Sequence, residues 1–135
     1  MKKIVLLLLL AFAINSCSPG DDGAKFHYEV LPVDSFTLPD SFYLGQTYPI
    51  KIKYKAPSDC HFFVGFYYEK NGNVRTIAVQ TSVLEDSACQ PVDEDPVEVS
   101  FNFQCTYTGS YVFKFYKGED AQGNDVFEEV EVPVY

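Results

Sequence analysis

The chain has 135 residues carrying 19 acidic and 10 basic side chains, for a formal charge of −9, with 47% apolar and 16% aromatic residues and no tryptophan. This is one domain's length with enough apolar material for a core, which excludes a disordered tail and a multidomain enzyme. A sequence pI near 4.5 excludes nucleic-acid binding by phosphate neutralisation, because that needs clustered Lys and Arg, and here they are few and scattered.

Lys2 and Lys3 supply a positive n-region, and Ile4 to Ile14 form an unbroken apolar run of eleven residues. That is the length of a signal-peptide core and too short to span a bilayer of ~30 Å. The run ends in Ile14-Asn15-Ser16-Cys17, which resembles the lipobox of bacterial lipoproteins of the Bacteroidota type, with Asn15 departing from the small or aliphatic residue usual at its position. The resemblance implies cleavage before Cys17, lipidation of the Cys17 thiol, acylation of its amine by a fatty acid such as palmitate, and an outer-membrane lipoprotein anchored by its lipid. Several acyl chains at ~0.8 kcal/mol per buried methylene make such anchoring effectively permanent. Residues 1–16 are then the signal peptide, 17–25 the lipidated Cys and tether, and 26–135 the domain. Removing 16 residues and two lysines from 135 residues at −9 leaves 119 residues at −11. Asp21 and Asp22 in the tether resemble the acidic signal that sends such lipoproteins to the cell surface; a solvated linker explains them equally well.

The rest reads as strands, because apolar residues alternate and never repeat at helical spacing. Phe26 to Leu38, broken by Pro32, suits one edge strand. Tyr48, Ile50, Ile52 and Tyr54 alternate with Lys51, Lys53 and Lys55, which gives one buried and one wet face. His61 to Lys70 is apolar on both parities, as expected of a central strand covered on both sides. Asn71-Gly72 predicts a tight primed turn, with Val74 to Val83 returning as the partner strand. Val97, Val99, Phe101 and Phe103 form a further amphipathic strand, followed by Tyr111, Phe113 and Phe115, then Val126, Val130, Val132 and Val134 after the turn at Gly123-Asn124. These seven strands without a helix predict a single all-β, antiparallel, seven-stranded sandwich.

Gly109, Tyr111, Phe113, Asp120, Gly123, Asn124, Val130 and Val132 match a Gly-x-Tyr-x-Phe, Asp-x-x-Gly-Asn, Val-x-Val series. The series resembles the last two strands of bacterial immunoglobulin-like or fibronectin type III-like domains. The resemblance covers roughly thirty residues, implies the fold and a core role for Tyr111, and carries no activity with it.

With Cys17 assigned to lipid, Cys60, Cys89 and Cys105 remain. Cys60 enters the central strand and Cys89 leaves its hairpin partner at the same end of the sandwich, whereas Cys105 ends a strand about eight residues long, at ~3.3 Å per residue, away from that end. The expected disulfide is therefore Cys60 to Cys89, with Cys105 a buried thiol. No nucleophile elbow, zinc-spaced set or phosphate-cradling loop is present, and His27 and His61 stand isolated in sequence, so no catalytic residues are assigned and a non-enzymatic role is expected.

Asp59, Asp93, Asp95, Asp120 and Asp125 fall in loops expected at one end of the sandwich. They are the candidate ligands for Ca²⁺, the one cofactor suggested, with a solvated acidic rim as the simpler reading. Glu128, Glu129 and Glu131 suit edge protection. Ten tyrosines, among them Tyr43, Tyr48, Tyr67, Tyr68, Tyr107, Tyr116 and Tyr135, offer stacking surfaces for a sugar or a protein partner. The function expected is a lipid-anchored binding or accessory module of the cell envelope, attached to the membrane by lipid, with an envelope protein or a glycan as partner. The alternative is a structural or adhesive surface subunit pairing through an edge strand. A chain ending at Tyr135 in its last strand weighs against polymerisation by strand donation.

Overall fold

The computed structural model describes residues 23–86 and 88–135. Residues 1–22, which hold the expected signal peptide, Cys17 and most of the expected tether, lie outside the described residues. The domain is all-β, with eight strands: β1 (Phe26–Leu31), β2 (Ser35–Thr37), β3 (Thr47–Tyr54), β4 (His61–Asn71), β5 (Val74–Leu84), β6 (Val97–Gln104), β7 (Ser110–Glu119) and β8 (Asp125–Pro133). They form a five-stranded sheet of β1, β4, β5, β7 and β8 and a three-stranded sheet in the order β2-β3-β6. The two sheets pack face to face around a buried cluster that includes Ile50, Ile52, Ile77, Val79, Phe113 and Phe115.

The eighth strand arises at Pro32. The expected single N-terminal strand is two, because a proline without an N–H ends β1 and the chain steps from one sheet to the other. Val33 N–H donates to Tyr116 O in the larger sheet and Asp34 N–H to Lys53 O in the smaller, each at 2.8 Å. Three adjacent residues thus bridge the two layers.

The strand at β3 forms as its alternation dictates, with Ile50, Ile52 and Tyr54 buried and Lys51, Lys53 and Lys55 exposed. The reading of β4 as a central strand is overturned. β4 pairs only with β5, and Phe62 and Val64 are 48% and 50% exposed. The register shifts between Phe63 and Gly65, and this bulge inserts Val64 and switches parity. Phe63 therefore faces the core before the bulge, and Phe66 and Tyr68 face it afterwards, so a run apolar on both parities needs only one covered face. β5 is the central strand, with Ile77, Val79, Thr81 and Val83 buried on one face and Ala78 on the other.

The turn also differs by one residue. Asn71 pairs with Val74, so Gly72 and Asn73 form the loop, with Gly72 at a φ of 59° and, among the described residues, no non-glycine at positive φ. One positive angle at the first loop position is the type II′ pattern, set by a register that seats Asn71 in the ladder. A further departure from an antiparallel sandwich is that β5 pairs with β7 in parallel over Val74 to Ile77.

Phe42 lies in the loop between β2 and β3 yet is fully buried, its ring 5.0 Å from Phe103 and 5.9 Å from both Tyr111 and Phe113. Its N–H donates to Pro133 O and its carbonyl accepts from Tyr135 N–H, which pins the loop to the C-terminal segment. Phe42→Ala should cost about 3–5 kcal/mol of unfolding free energy, whereas Phe62→Ala on the exposed face of β4 should cost less than about 1 kcal/mol. Denaturant titration of the two variants checks this, and equal losses would contradict the assigned core.

Candidate functional site

β4 and β6 are edge strands of different sheets lying along the same side of the sandwich, and the seam between them is open. The cleft has a volume of about 490 Å³, with Phe66, Tyr68 and Phe101 as aromatic lining and Lys70 and Arg75 as its cations. Edge-to-face contacts at 5.1 Å (Phe66–Phe101) and 5.5 Å (Tyr68–Phe101) close the seam partway. Burial pushes the Tyr68 hydroxyl up, partly offset by the neighbouring Arg75 guanidinium. The phenol is therefore neutral at physiological pH and places no negative charge beside Arg75. The sequence reading singled out neither Arg75 nor the cleft. The available signal was a lone arginine at an inward position of a strand, which is informative only once β5 is known to be central.

The far end of β4 carries the Cys60–Cys89 disulfide, with a Cα–Cα separation of 5.7 Å across 29 residues of sequence. Backbone bonds frame it: Leu84 N–H donates to Cys60 O and Asp59 N–H to Gln90 O. Beside it stands a polar chain that sequence spacing concealed. Ser58 Oγ lies 2.7 Å from His61 Nδ1, and His61 Nε2 lies 3.2 Å from Glu29 Oε2. His27 joins through Glu29 at 3.8 Å and Glu85 at 3.2 Å, so both histidines of the chain converge on Glu29 of β1 beside the disulfide turn. In a Ser-His-acid hydrolase the serine engages Nε2 and the acid Nδ1. Here the connection is reversed, and Ser58 Oγ also accepts the Cys60 N–H at 3.2 Å. The arrangement locks the turn before β4 onto β1.

The five aspartates read as calcium ligands are not brought together. Asp120 accepts the N–H groups of Gln122 and Asn124, each at 2.9 Å, and Asp59 accepts the Gln90 N–H. Asp93 and Asp95 face solvent, and Asp125 borders a depression on the outer face of the larger sheet. Among the described residues, one group of three candidate donors falls within 4.8 Å, Asp59, Cys60 and Cys89, and both of its sulfurs are consumed by the disulfide. The physical reason is local: each carboxylate serves its own loop or solvent.

Cys105 is buried, its thiol facing Tyr107 O at 3.8 Å. The tyrosines scatter. Tyr48 accepts the Tyr43 N–H, Tyr43 packs near Tyr135, and Tyr68 lines the seam. Tyr67 and Tyr116 flank the outer-face depression of about 440 Å³ with Val30, Ala78 and Phe127. They form no continuous stacking platform.

The disulfide should contribute roughly 3–4 kcal/mol by closing a loop of this length. In a Cys17→Ser chain, thiol titration should find no reactive thiol in the folded protein and one, Cys105, after unfolding; three would remove the bridge. Asp120 is held below the usual carboxylate range first by the Asn124 backbone bond, so its hold on the loop is complete above the ordinary value of 3.8 and is lost as pH falls through its depressed pKa. The protection of the Gln122 and Asn124 amides, taken relative to their intrinsic base-catalysed exchange rates, should fall only below that range, and its loss near neutral pH would contradict the role. Comparison of the chain with family models, with curated proteins and with solved structures finds no match in any of the three.

Proposed function

We propose that this chain is a lipid-anchored, non-enzymatic binding module of the bacterial cell envelope, held at the outer membrane through Cys17 and presenting an immunoglobulin-like sandwich. The observation that carries the reading as a binding module is the contrast between the β8 and β4 edges of the larger sheet, whose short β1 also has a free side. β8 bears Glu128, Glu129 and Glu131, charges that oppose strand addition, whereas β4 presents an unpaired, aromatic-rich edge beside an open cleft. A free apolar edge costs solubility, so it is best understood as a surface that is covered in use. The immunoglobulin-like assignment draws support from Tyr111, whose hydroxyl accepts the Thr106 N–H five residues upstream at the start of β7, in the manner of a tyrosine corner. The parallel β5–β7 pair counts against it, since that fold pairs the corresponding strands antiparallel. Anchoring rests on the Lys2-Lys3, apolar-run and Cys17 pattern.

The same free edge favours a second reading, an adhesive or structural subunit that pairs β4 with another chain. Both are tested in one experiment on intact cells. The wild-type chain should take up an alkyne fatty acid and Cys17→Ala should not; labelling of the variant would sink the anchor. A photo-crosslinking residue at Val64 should capture a partner that one at Thr37, on β2, does not. Equal capture at the two positions would sink the β4-side reading, and capture of a second copy of this chain would favour the adhesive one.

A further inference from the structure

Arg75 is the only arginine in a chain with 19 acidic side chains, and it is 7% exposed. An acidic protein offers such a residue many counter-charges, yet no ion pair among the described residues involves it. Its Nη1 donates to Gly72 O at 2.7 Å and Val74 O at 3.0 Å, and its guanidinium lies 5.1 Å from the centre of the Tyr111 ring. Its Nε is the one buried side-chain nitrogen or oxygen among the described residues without a hydrogen-bond partner. A buried N–H with no acceptor is rare in folded proteins and calls for an explanation, an absent ligand among them.

Three further features bear on what is missing. Lys70 stands directly opposite Arg75 in the β4–β5 register, and like charges in that position destabilise a sheet unless an anion lies between them. Both cations line the seam cleft, as the neutral Tyr68 does. Nη1 is held by backbone carbonyls and the Tyr68 hydroxyl lies beside the guanidinium, so an acceptor for the buried Nε has to enter past Tyr68. A planar carboxylate matches a guanidinium fork, and a single negative charge suits one arginine and one lysine without a helix N-terminus or glycine loop to cradle more. The remaining wall is part aromatic, from Phe66, Tyr68, Phe101 and Phe103, and part polar, from Asn102 and Gln104.

We propose that the cleft between β4 and β6 binds a small carboxylate carried on a ring-shaped apolar body, with Arg75 and Lys70 holding the carboxylate and Phe66, Tyr68 and Phe101 covering the ring. This rests on the reading of the domain as a binding module and names the chemistry of its ligand.

The single arginine makes the test direct, because the full chain in detergent micelles gives one arginine Nε–H resonance in a ¹H–¹⁵N spectrum. Phenylacetate should shift that resonance saturably, with phenylacetamide at least about tenfold weaker and inorganic phosphate also weaker. Lys70→Gln, at an exposed position, should weaken phenylacetate about threefold while the ligand-free melting temperature stays level or rises, since the charge opposing Arg75 is gone. Arg75→Lys should weaken it at least about tenfold, read from the aromatic ¹³C shifts of the cleft, with its melting curve recorded alongside. No movement of the Nε–H up to about 20 mM phenylacetate, a millimolar limit suited to a fragment of this size, overturns the proposal. So does equal binding of the amide, tighter binding of phosphate, or unchanged binding in both variants. Capture at Val64 in cells together with a silent Nε–H would reject the carboxylate site and leave the binding module standing. Loss of capture with a responsive Nε–H would keep the carboxylate site and reject β4 as a surface that docks a macromolecule.

Discussion

The architecture depends on how β5 distributes its two edges. One edge is occupied along nearly its whole length by β4, and the other is divided between β7, parallel over Val74 to Ile77, and β1, antiparallel over Val79 to Leu84. Because the second strand of the β4–β5 hairpin takes the central position, the first is driven to the margin of the sheet. β6 is the margin of the other sheet, so two edges come to lie along one side of the sandwich. The seam, the exposed aromatics of β4 and the inward placement of Arg75 all follow from that single pairing choice. Asn73 holds it in place: its side chain donates to Ser110 O and its carbonyl accepts the Val112 N–H, so the hairpin loop is tied to the start of β7.

The interior beside the seam is filled by aromatic packing. Phe42, Phe103, Tyr111 and Phe113 form a chain of contacts between 4.9 and 6.3 Å that crosses from the inter-strand loop through β6 to β7. Each fully buried aromatic side chain contributes on the order of 2–3 kcal/mol by burial, with a further increment of about 1 kcal/mol for edge-to-face pairs. The aromatic packing thus reaches the seam through Phe103, which lines the cleft. A packed floor favours placing recognition there, since a rigid scaffold positions a site better than a mobile one.

Much of the fold is legible in the sequence wherever alternation is unbroken. Ile50, Ile52 and Tyr54 on β3 and Tyr111, Phe113 and Phe115 on β7 show their buried faces by parity alone. Legibility fails where a local device changes parity or sheet. The bulge at Val64 makes one covered face look like two, Pro32 divides one apparent strand between two sheets, and Phe42 is a core residue that belongs to no strand. The disulfide partners follow from which loops share an end, which depends only on strand count and direction. The cleft could not be read in the same way, because Arg75, Lys70 and Phe101 meet only if β4 is an edge, and the residues of β4 alone favour a centre. The acids misled for a related reason: sharing an end of a sandwich does not converge carboxylates, and Asp120 is fully engaged by its own loop.

The energetic position of Arg75 bears on why such a residue persists. Desolvating a cation costs several kcal/mol even after relaxation. Two bonds to backbone carbonyls and the contact with the Tyr111 ring return part of this, at about 1.5–3 kcal/mol for each charge-assisted bond and about 1–2 kcal/mol for the ring. The uncompensated remainder is the Nε and the opposition of Lys70. An apolar residue of similar length would pack against Tyr111 without either, and buried charges replaced in this way commonly leave a protein as stable or more so. A position where an apolar residue would serve the fold, occupied by the sole arginine of an acidic chain, favours a role that the fold does not itself require. Nor does solubility require it, since the rest of the surface already carries ample charge. The constraint left is recognition of something anionic that reaches the seam from outside.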